Sequence, residues 1–408
     1  MVMPKELQKK TLEKILREKG IDPQTVDLDA LIDPQLSFPE NVRKILSELG
    51  LQQQEGDYRE DDIKRMEEAL NNQALENHLR EQGLEEEFDQ RLQEEEERHY
   101  EQMRLEFERI IKEHDPLEYF SRYIAPEVVG EQYEPIKKAI LLSLATHYDK
   151  AKRTRIHVLL VGPPGTAKTE ILKFLHLKLW AALVNGEYAS KVGLTGDARG
   201  KEVTPGLLAQ YDGNVVCIDE VDKLSVKDQG GLLQAMEEGY YTIVKAKHRA
   251  KFRAEVRVIA SANDINKITK PLLDRFDFVF ELKNPAREER KKNIGALVDQ
   301  FFGAYQAPSI QILYDYLQWI SNFEPRVEEI DKIKEVMRAY IELTNQNLEE
   351  KSYRSLELSI LRVAYAIAKL SRQNVNAEHV VKAIKLKDQT LTREQYRYLI
   401  AIAKGLIQ

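Results

Sequence analysis

The segment that most constrains this chain runs from Ile156 to Thr169 and reads IHVLLVGPPGTAKT. An apolar run stops before Gly162, a loop with glycine and proline follows, and Lys168 then leads into a helical pattern over 170–183. This order predicts a strand, a phosphate-binding loop and a helix. Small loop residues let backbone N–H groups close around phosphates, and the positive end of the helix dipole adds to the attraction.

The loop fits the phosphate-loop pattern G-x-x-x-x-G-K-[ST] except at Ala167, where a second glycine is usual. Lys168 can reach the β and γ phosphates, and the Thr169 hydroxyl can bind Mg²⁺. The alternative, a turn before an ordinary helix, is disfavoured because the strand, the helix and the Lys-Thr pair agree. We therefore expect ATP and Mg²⁺ as cofactors. The loop residues expected to surround the nucleotide are Gly162, Pro163, Pro164, Gly165, Thr166, Ala167, Lys168 and Thr169.

A second apolar run, 215–218, reads as a buried strand that ends in Asp219 and Glu220. A carboxylate at the carboxyl end of a parallel strand lies at the ligand-binding edge of an α/β sheet. Asp219 can hold the Mg²⁺ through water, and Glu220 can polarise the attacking water. The position of this pair downstream of a phosphate loop makes the signal strong.

Two further polar residues follow apolar runs. Asn263 ends the run 258–262 and is placed to bond the γ-phosphate or the attacking water. Arg275 lies in a loop before the last predicted core strand. It can reach a phosphate on a neighbouring subunit, or it can form a surface ion pair with Asp274 or Asp277.

Residues 240–258 predict a β-hairpin rich in basic side chains. In this segment Lys245, Lys247, Arg249, Lys251 and Arg253 recur at every second position. Such side chains share one face of a single extended chain. The set can form a local positive field for nucleic acid. The alternative is an edge hairpin that its charges protect from aggregation.

Composition limits the other possibilities. The 61 basic and 68 acidic residues give a net charge of −7, so any nucleic-acid surface must be local. The one cysteine, Cys217, excludes a disulfide within the chain and a Cys₄ or Cys₂His₂ zinc site. No apolar run approaches the length of about 18 residues that a membrane span needs. The first residues also lack the apolar core of a signal peptide, so we expect a cytoplasmic protein.

Pattern and composition divide the chain into regions. The region 57–114 is very acidic, and within it Tyr100, Met103, Phe107 and Ile110 follow the spacing of a coiled-coil seam. It can bind a partner or pair between subunits; the alternative is a solvated helix or a disordered linker. The predicted regions are a small helical unit (1–56), an acidic helical arm or coiled coil (57–114), an α/β core (115–286), a helical lid (287–390) and a C-terminal helix (391–408).

The region from about residue 123 to 386 resembles the ATPase region of minichromosome maintenance (MCM) helicases, in the AAA+ superfamily. The segments GPPGTAKT, CIDEVDKL, LLQAMEEGYYTIVKA, ASAN and LLDRFD follow in the family's order, and the family's alanine before the lysine matches Ala167. The resemblance implies an α/β AAA+ P-loop core with a parallel sheet between helices. The resemblance also implies an all-α lid on the C-terminal side of the core. The region on the N-terminal side of the core is expected to be helical.

The resemblance also implies roles for single residues. Lys168 and Thr169 match Walker A, Asp219 and Glu220 match Walker B, and Asn263 matches sensor 1. Arg275 is similar to the arginine finger that acts across a subunit interface. Arg354 is similar to the sensor 2 arginine, which in this family also acts from a neighbour. Lys245 matches the lysine of a hairpin that points into the DNA channel, with Lys247, Arg249 and Lys251 beside it.

The function implied is that of a homo-oligomeric, hexameric ring that couples ATP hydrolysis to DNA binding and translocation or unwinding. The family's N-terminal oligonucleotide-binding domain, often with zinc, is expected to be replaced by helices, and residues 1–114 can bind a protein partner. The segment 196–213 is shorter than the corresponding family insert, and the C-terminal winged helix is expected to be absent or reduced to one helix. One alternative is a protein remodeller similar to MoxR ATPases or magnesium-chelatase subunits. Another is a ring that uses ATP only for assembly.

Overall fold

The computed structural model describes residues 26, 28–31, 44, 85–146, 154–187, 191–197, 204–245 and 248–407. The chain divides into two compact units, Met1–Met103 and Arg104–Gln408. Near the N-terminus the described elements are a short helix α1, Leu28–Leu31, and the long helix α2, Glu85–Glu113. Most of the predicted unit 1–56, and the arm before residue 85, lie outside the described residues.

A five-stranded parallel sheet organises the second unit. Its strands, in spatial order, are β2 (Ala182–Asn185), β5 (Val215–Asp219), β8 (Arg257–Ala262), β1 (Val158–Val161) and β9 (Phe278–Glu281). The central strands are apolar and buried, as expected where helices cover both faces of a parallel sheet. The carboxyl ends of β1, β5 and β8 therefore meet at one edge, as the sequence predicts.

Helices pack around this sheet, and two small antiparallel strand pairs lie in the connections between its strands. The helices up to β9 are α3 (Pro116–Ser121), α4 (Glu134–Ala145), α5 (Lys168–Leu179), α6 (Lys191–Thr195), α7 (Leu207–Gln210), α8 (Val226–Glu238) and α9 (Lys270–Leu273). The small pairs are β3 (Gly196–Asp197) with β4 (Thr204–Pro205), and β6 (Tyr240–Lys245) with β7 (His248–Arg253). Short 3₁₀ turns lie at Glu131–Tyr133, Val221–Lys223, Ile265–Lys267 and Leu348–Glu350.

The described chain after β9 is helical, which confirms the predicted combination of an α/β core and a helical C-terminal region. Its helices are α10 (Arg287–Phe301), α11 (Gln311–Ser321), α12 (Ile330–Leu343), α13 (Glu357–Leu370), α14 (Ala377–Lys387) and α15 (Arg393–Ala403). Capping boxes start α14 at Asn376 and α15 at Thr392, where each side chain accepts from a backbone N–H of the first turn. We refer to α11–α15 as the lid.

The C-terminal end of α2 is anchored in an aromatic cluster. Phe107 is buried, and its ring lies 5.2 Å from that of Tyr316 and 5.4 Å from that of Trp319, between ring centroids. Ile110 is also buried, whereas Tyr100 is exposed. Two residues of the predicted coiled-coil seam are thus core residues of the second unit.

The buried carboxylate of Asp277, just before β9, ties the sheet to the lid. Its Oδ1 accepts from Arg354 Nη1 at 3.0 Å, Arg362 Nε at 2.9 Å and Ser359 Oγ at 2.8 Å. Its Oδ2 accepts from the backbone N–H of His157 at 3.0 Å, beside β1. In the low-dielectric interior of the protein, a complete hydrogen-bond network of this kind is strongly stabilising. Loss of one member leaves buried polar groups unpaired and is destabilising.

Asp277→Asn is therefore expected to lower the free energy of unfolding by about 3–5 kcal/mol, because it leaves the buried charge of Arg362 uncompensated. Urea unfolding followed by circular dichroism measures this. The matched control is Asp331→Asn, whose carboxylate is exposed and pairs only with Lys334 (2.8 Å) among the described contacts. Its loss should leave the urea midpoint close to that of the original protein, because water screens an exposed ion pair. Equal midpoints for the two variants would contradict the account.

Candidate active site

The phosphate loop connects β1 to α5 and is fixed by backbone contacts. Gly162 N–H donates to Ala262 O at 3.1 Å, and a Cβ on Gly162 would lie only 2.7 Å from Leu282 O, so this position requires glycine. Farther along, Tyr133 Oη donates to Thr166 O at 3.3 Å. These contacts fix the loop as a turn that precedes α5.

Ala167, the departure from the usual pattern, lies in the left-handed region with φ 54° and ψ 15°. Glycine adopts this conformation freely, whereas an L side chain costs roughly 1–2 kcal/mol there. The loop therefore keeps the left-handed conformation that favours glycine, and the alanine at this position has a strained backbone. Backbone strain of this kind concentrates at functional sites.

Substitutions at Ala167 test this strain. Ala167→Gly should raise the free energy of unfolding by about 0.5–1 kcal/mol, because relief of the strain exceeds the extra entropy of the unfolded chain. Ala167→Val should lower it, because a β-branched residue is an outlier at positive φ. Thermal unfolding of the three proteins measures the order. A glycine variant less stable than the alanine protein would contradict this reading.

The ammonium of Lys168 lies inside the loop. Its Nζ donates to Gly162 O at 2.6 Å and Pro163 O at 2.9 Å, with Thr166 Oγ1 at 3.4 Å. Burial lowers the pKa of Lys168, and nearby carboxylates oppose that shift. A phosphate oxygen entering the loop can take the place of these carbonyl partners.

The first turn of α5 meets the end of β5. Thr169 Oγ1 donates to Asp219 Oδ2 at 3.0 Å, which brings together the two predicted Mg²⁺ ligands. Ser261 on β8 donates to the other oxygen of Asp219 and accepts from Glu220 N–H at 2.9 Å. Hydroxyl and carboxylate oxygens are the donor set that Mg²⁺ prefers, so the residues fit the expected cofactor.

Glu220 and Asn263 also meet. Glu220 has φ 57° and ψ 50°, and its Oε1 accepts from Asn263 Nδ2 at 2.9 Å. The buried carboxylate of Asp222 accepts from the N–H groups of Asn263 at 3.2 Å and Asp264 at 3.3 Å. A Cβ on Gly186 would lie 2.3 Å from Glu220 O, so β2 also packs closely against this turn.

Sequence reasoning missed two residues of this site. Ser261 is a polar residue within the apolar run of β8, and that contrast was an available signal. Asp222 lies in the motif CIDEVDKL, but its position after the strand end gives no signal of its role. The structure places both behind the predicted residues, where they position Asp219, Glu220 and Asn263.

These groups surround a cleft of about 450 Å³, lined by residues 164–170 together with Asp219, Glu220 and Asn263. Its volume is within the range of small-molecule sites, roughly 300–1,000 Å³. Gly162 and Pro163 do not line the cleft, but their carbonyls accept from Lys168, which does. The predicted residues of the cleft are thus brought together, while their catalytic roles remain predictions.

Arg275 and Arg354 lie outside this cleft. Arg275 donates to Glu237 Oε2 at 2.9 Å and to Asp274 Oδ2 at 2.8 Å. Arg354, bound to Asp277, also donates to the carbonyl of Arg275 at 3.2 Å. Arg275 lines a larger cavity of about 1,590 Å³ between β9 and the lid. Of the two ion pairs that the sequence allowed, Arg275 forms the one with Asp274.

The basic hairpin is β6–β7, and it ends at Arg253 because Arg257 and Val258 belong to the central sheet. Register pairs Lys245 with His248 and Val244 with Arg249. Ala246 and Lys247, which connect the two strands, lie outside the described residues. A common face for the basic side chains of the hairpin therefore stays a prediction.

The described charges of the hairpin are partly compensated. Lys251 Nζ lies 3.4 Å from the centroid of the Tyr240 ring. Arg253 pairs with Asp212 at 3.1 Å and with Glu255 at 2.5 Å. Arg253 therefore contributes less to a positive surface than its charge suggests.

Two features are absent from the described residues. In the part of the chain that the structure describes, no group of three or more His, Cys, Asp or Glu side chains could hold a metal ion. Within the same residues, no helix combines the length and apolar character needed to cross a membrane.

A phosphate loop, an Asp-Glu strand end and an adjacent asparagine on a β2-β5-β8-β1-β9 parallel sheet define an AAA+ P-loop protein. Comparison with known sequences indicates which family of AAA+ proteins this chain resembles. Residues 103–301 match the family model described as the MCM P-loop domain. The AAA+ core of the chain is thus similar to the MCM P-loop domain, and the resemblance predicted from its motifs is confirmed.

Several curated relatives are DNA replication licensing factors. The chain is 31% identical over 211 residues to MCM3 of Entamoeba histolytica, covering 46% of this chain and 35% of the relative. It is 29% identical over 320 residues to mcm7-B of Xenopus laevis, covering 69% and 44%. It is 30% identical over 319 residues to mcm2 of Schizosaccharomyces pombe, covering 64% and 38%. The chain thus spans less than half the length of each of these relatives.

Proposed function

We propose that this chain is a ring-forming ATPase that couples ATP hydrolysis to DNA binding and to translocation or unwinding. The observation that carries the proposal is the convergence of Lys168, Thr169–Asp219 and Asn263–Glu220 in one cleft of an MCM-like core. Each group has the chemistry that phosphoryl transfer to water requires.

Within one chain, Lys168 and the loop N–H groups hold the β and γ phosphates. Thr169 and, through water, Asp219 would hold Mg²⁺, which would neutralise phosphate charge when bound. Glu220 orients and polarises the attacking water, and Asn263 fixes the Glu220 carboxylate while it bonds the γ-phosphate or that water. Ser261 positions the Asp219 carboxylate and the backbone of Glu220, and Asp222 positions the backbone of Asn263.

A neighbouring chain supplies the remaining catalytic groups, which are arginines. Arg275 and Arg354 lie beside each other away from their own cleft, which supports a role at the cleft of the next subunit. An arginine placed there stabilises the charge that develops on the transferred phosphoryl group. A homo-oligomeric ring, hexameric by the family resemblance, supplies this arrangement to every site.

The β6–β7 hairpin is the proposed DNA contact, through Lys245, Lys247, Arg249 and Lys251. Phosphate contacts by lysine and arginine give affinity without sequence preference and make binding fall steeply with salt. The ion pairs of Arg253 with Asp212 and Glu255 favour the second candidate, a protein-remodelling ring, because they reduce the local positive charge.

ATP turnover with and without single-stranded and duplex DNA tests the proposal. DNA should stimulate turnover, and Lys245→Ala with Lys247→Ala should abolish the stimulation while basal turnover stays unchanged. The matched control is Lys332→Ala with Lys334→Ala, two lysines on α12 that pair with Glu329 and Asp331. Robust turnover that is indifferent to DNA would reject the DNA motor in favour of protein remodelling.

A further inference from the structure

The last strand of the central sheet, β9, has an open edge. Among the described strands it pairs only with β1. Phe278 N–H donates to His157 O at 3.2 Å, just before β1, and the register continues this pattern to Phe280. In a parallel ladder, alternate residues direct their backbone groups to opposite sides of the strand. The backbone N–H and C=O groups of Val279 and Glu281 therefore point away from the sheet.

Side chains of the same protein close both ends of this edge. At the start of β9, the Asp277 carbonyl accepts from Lys387 Nζ. Beyond the end of β9, the side-chain amide of Gln132 pairs as a strand would. Its Oε1 accepts from Lys283 N–H at 3.2 Å, and its Nε2 donates to Lys283 O at 3.1 Å. Between these closures, the backbone groups of the two outward-facing residues have no hydrogen-bond partner among the described residues.

The open edge faces free space and lacks the usual protection. It lines the cavity of about 1,590 Å³ between β9 and the lid. Natural edge strands commonly carry several charges, proline or a bulge, which prevent pairing with another chain. The sequence of β9 is FVFE, its register has no bulge, and its one charge is Glu281. Val279 is 39% exposed. An apolar strand with unpaired backbone groups beside a cavity is suited to the addition of another strand.

We infer that β9 is a docking edge for an extended segment of a partner protein, which adds to the sheet as a sixth strand between Lys387 and Gln132. Each outward-facing residue offers one donor and one acceptor, so the open stretch allows four backbone hydrogen bonds. The inference goes beyond the proposed ATPase and requires neither nucleotide nor DNA. Its tests therefore do not depend on ATP turnover.

The apolar lining of the cavity indicates one feature of the partner segment. Ile265, Leu273 and Leu386 line the cavity and are half-buried, so each keeps surface that a partner can cover. Side chains of an extended segment point alternately to opposite sides. Apolar residues at every second position of the partner can therefore bury this surface while the backbone pairs with β9.

The charges of the lining indicate a second feature. Glu281, Glu349 and Glu350 line the cavity, are exposed and form no ion pair among the described residues. Lys270 and Lys351 are the exposed basic residues of the same lining, so the unpaired acidic groups are in excess. The other charged side chains of the lining are already bound. Basic residues at the remaining positions would balance this excess, so we expect a segment in which apolar and basic residues alternate.

Binding of a synthetic peptide to the full chain tests the docking edge. The probe is the capped, fluorescently labelled heptapeptide TVKVKVT, and its anisotropy is measured without nucleotide or DNA. One control is the same peptide with an N-methylated backbone, which keeps the charges but cannot pair with a strand edge. The other is the acidic peptide TVEVEVT. The basic peptide should bind, and both controls should bind about tenfold more weakly or less. Absent binding of the basic peptide, or equal binding of the three, would overturn the inference.

Substitutions in β9 locate the bound peptide. Val279→Pro removes an outward N–H and none that faces β1, and proline is tolerated at such a position of an edge strand. Glu281→Lys reverses the charge of the edge and decides the outcome if the proline variant does not fold. Each should weaken binding about tenfold. Val226→Pro is the matched control, since this exposed valine begins α8, where proline is tolerated. Unchanged binding in the folded β9 variants would overturn the inference.

Residue-resolved hydrogen exchange examines the edge without any substitution. In the free protein, the amides of Val279 and Glu281 should exchange fast, whereas those of Phe278 and Phe280 should be protected by their bonds to β1. The basic peptide should slow exchange in the first pair and leave the second pair unchanged. Protection of the first pair without peptide would mean that another segment or copy of this chain covers the edge, and this would overturn the inference.

Discussion

Glu220→Gln is expected to lower ATP turnover by about 10²–10⁴-fold, the usual contribution of a positioned general base. The amide oxygen of glutamine can still accept from Asn263, so the geometry of the cleft should persist. ATP affinity should therefore stay close to that of the original protein, because Lys168 and Thr169 are unchanged. The variant separates hydrolysis from binding.

The measurement is single-turnover hydrolysis beside the equilibrium binding of a fluorescent ATP analogue. Glu288→Gln is the matched control, because that exposed carboxylate pairs only with Lys291 among the described contacts and should not affect turnover. Full turnover in Glu220→Gln would remove Glu220 from its proposed role, and loss of nucleotide binding would make its role structural.

Arg275→Ala is expected to lower turnover by about 10³–10⁵-fold, as for arginine fingers in general. The ion pairs of Arg275 with Glu237 and Asp274 are partly exposed, so their loss should cost less than about 1 kcal/mol in unfolding free energy. The expected effect is thus catalytic rather than structural. A melting temperature close to that of the original protein is the control.

Mixing distinguishes an arginine that acts on a neighbour from one that acts within its own chain. Arg275→Ala retains Lys168, and Lys168→Ala retains Arg275, so about a quarter of the interfaces in a randomly mixed ring combine both groups. Turnover should therefore reappear in the mixture although each variant alone is inactive. A mixture as inactive as its components would contradict a site shared between chains.

The sequence predicted those parts of the site that depend on local order. A strand must precede Gly162, and a helix must follow Lys168, for the loop to exist at all. The meeting of Asp219 and Asn263 followed from the shared edge of parallel strands. Ala167 was recognised as a departure, but its left-handed backbone is a property of the folded loop.

The parts that sequence did not predict depend on distant contacts. Asp277 was considered only as an ion-pair partner of Arg275, yet it binds Arg354 and Arg362 of the C-terminal region, about 80 residues away. The exposure of Ile294, Leu297 and Phe301 on α10 was not predicted, because periodicity identifies an apolar face and not what covers it.

The decisive measurement is turnover per chain at rising protein concentration, with and without single-stranded DNA. We expect low turnover at concentrations that favour the monomer, a rise as chains assemble, and further stimulation by DNA. Turnover per chain that is independent of both concentration and DNA would contradict a composite ATP site coupled to DNA.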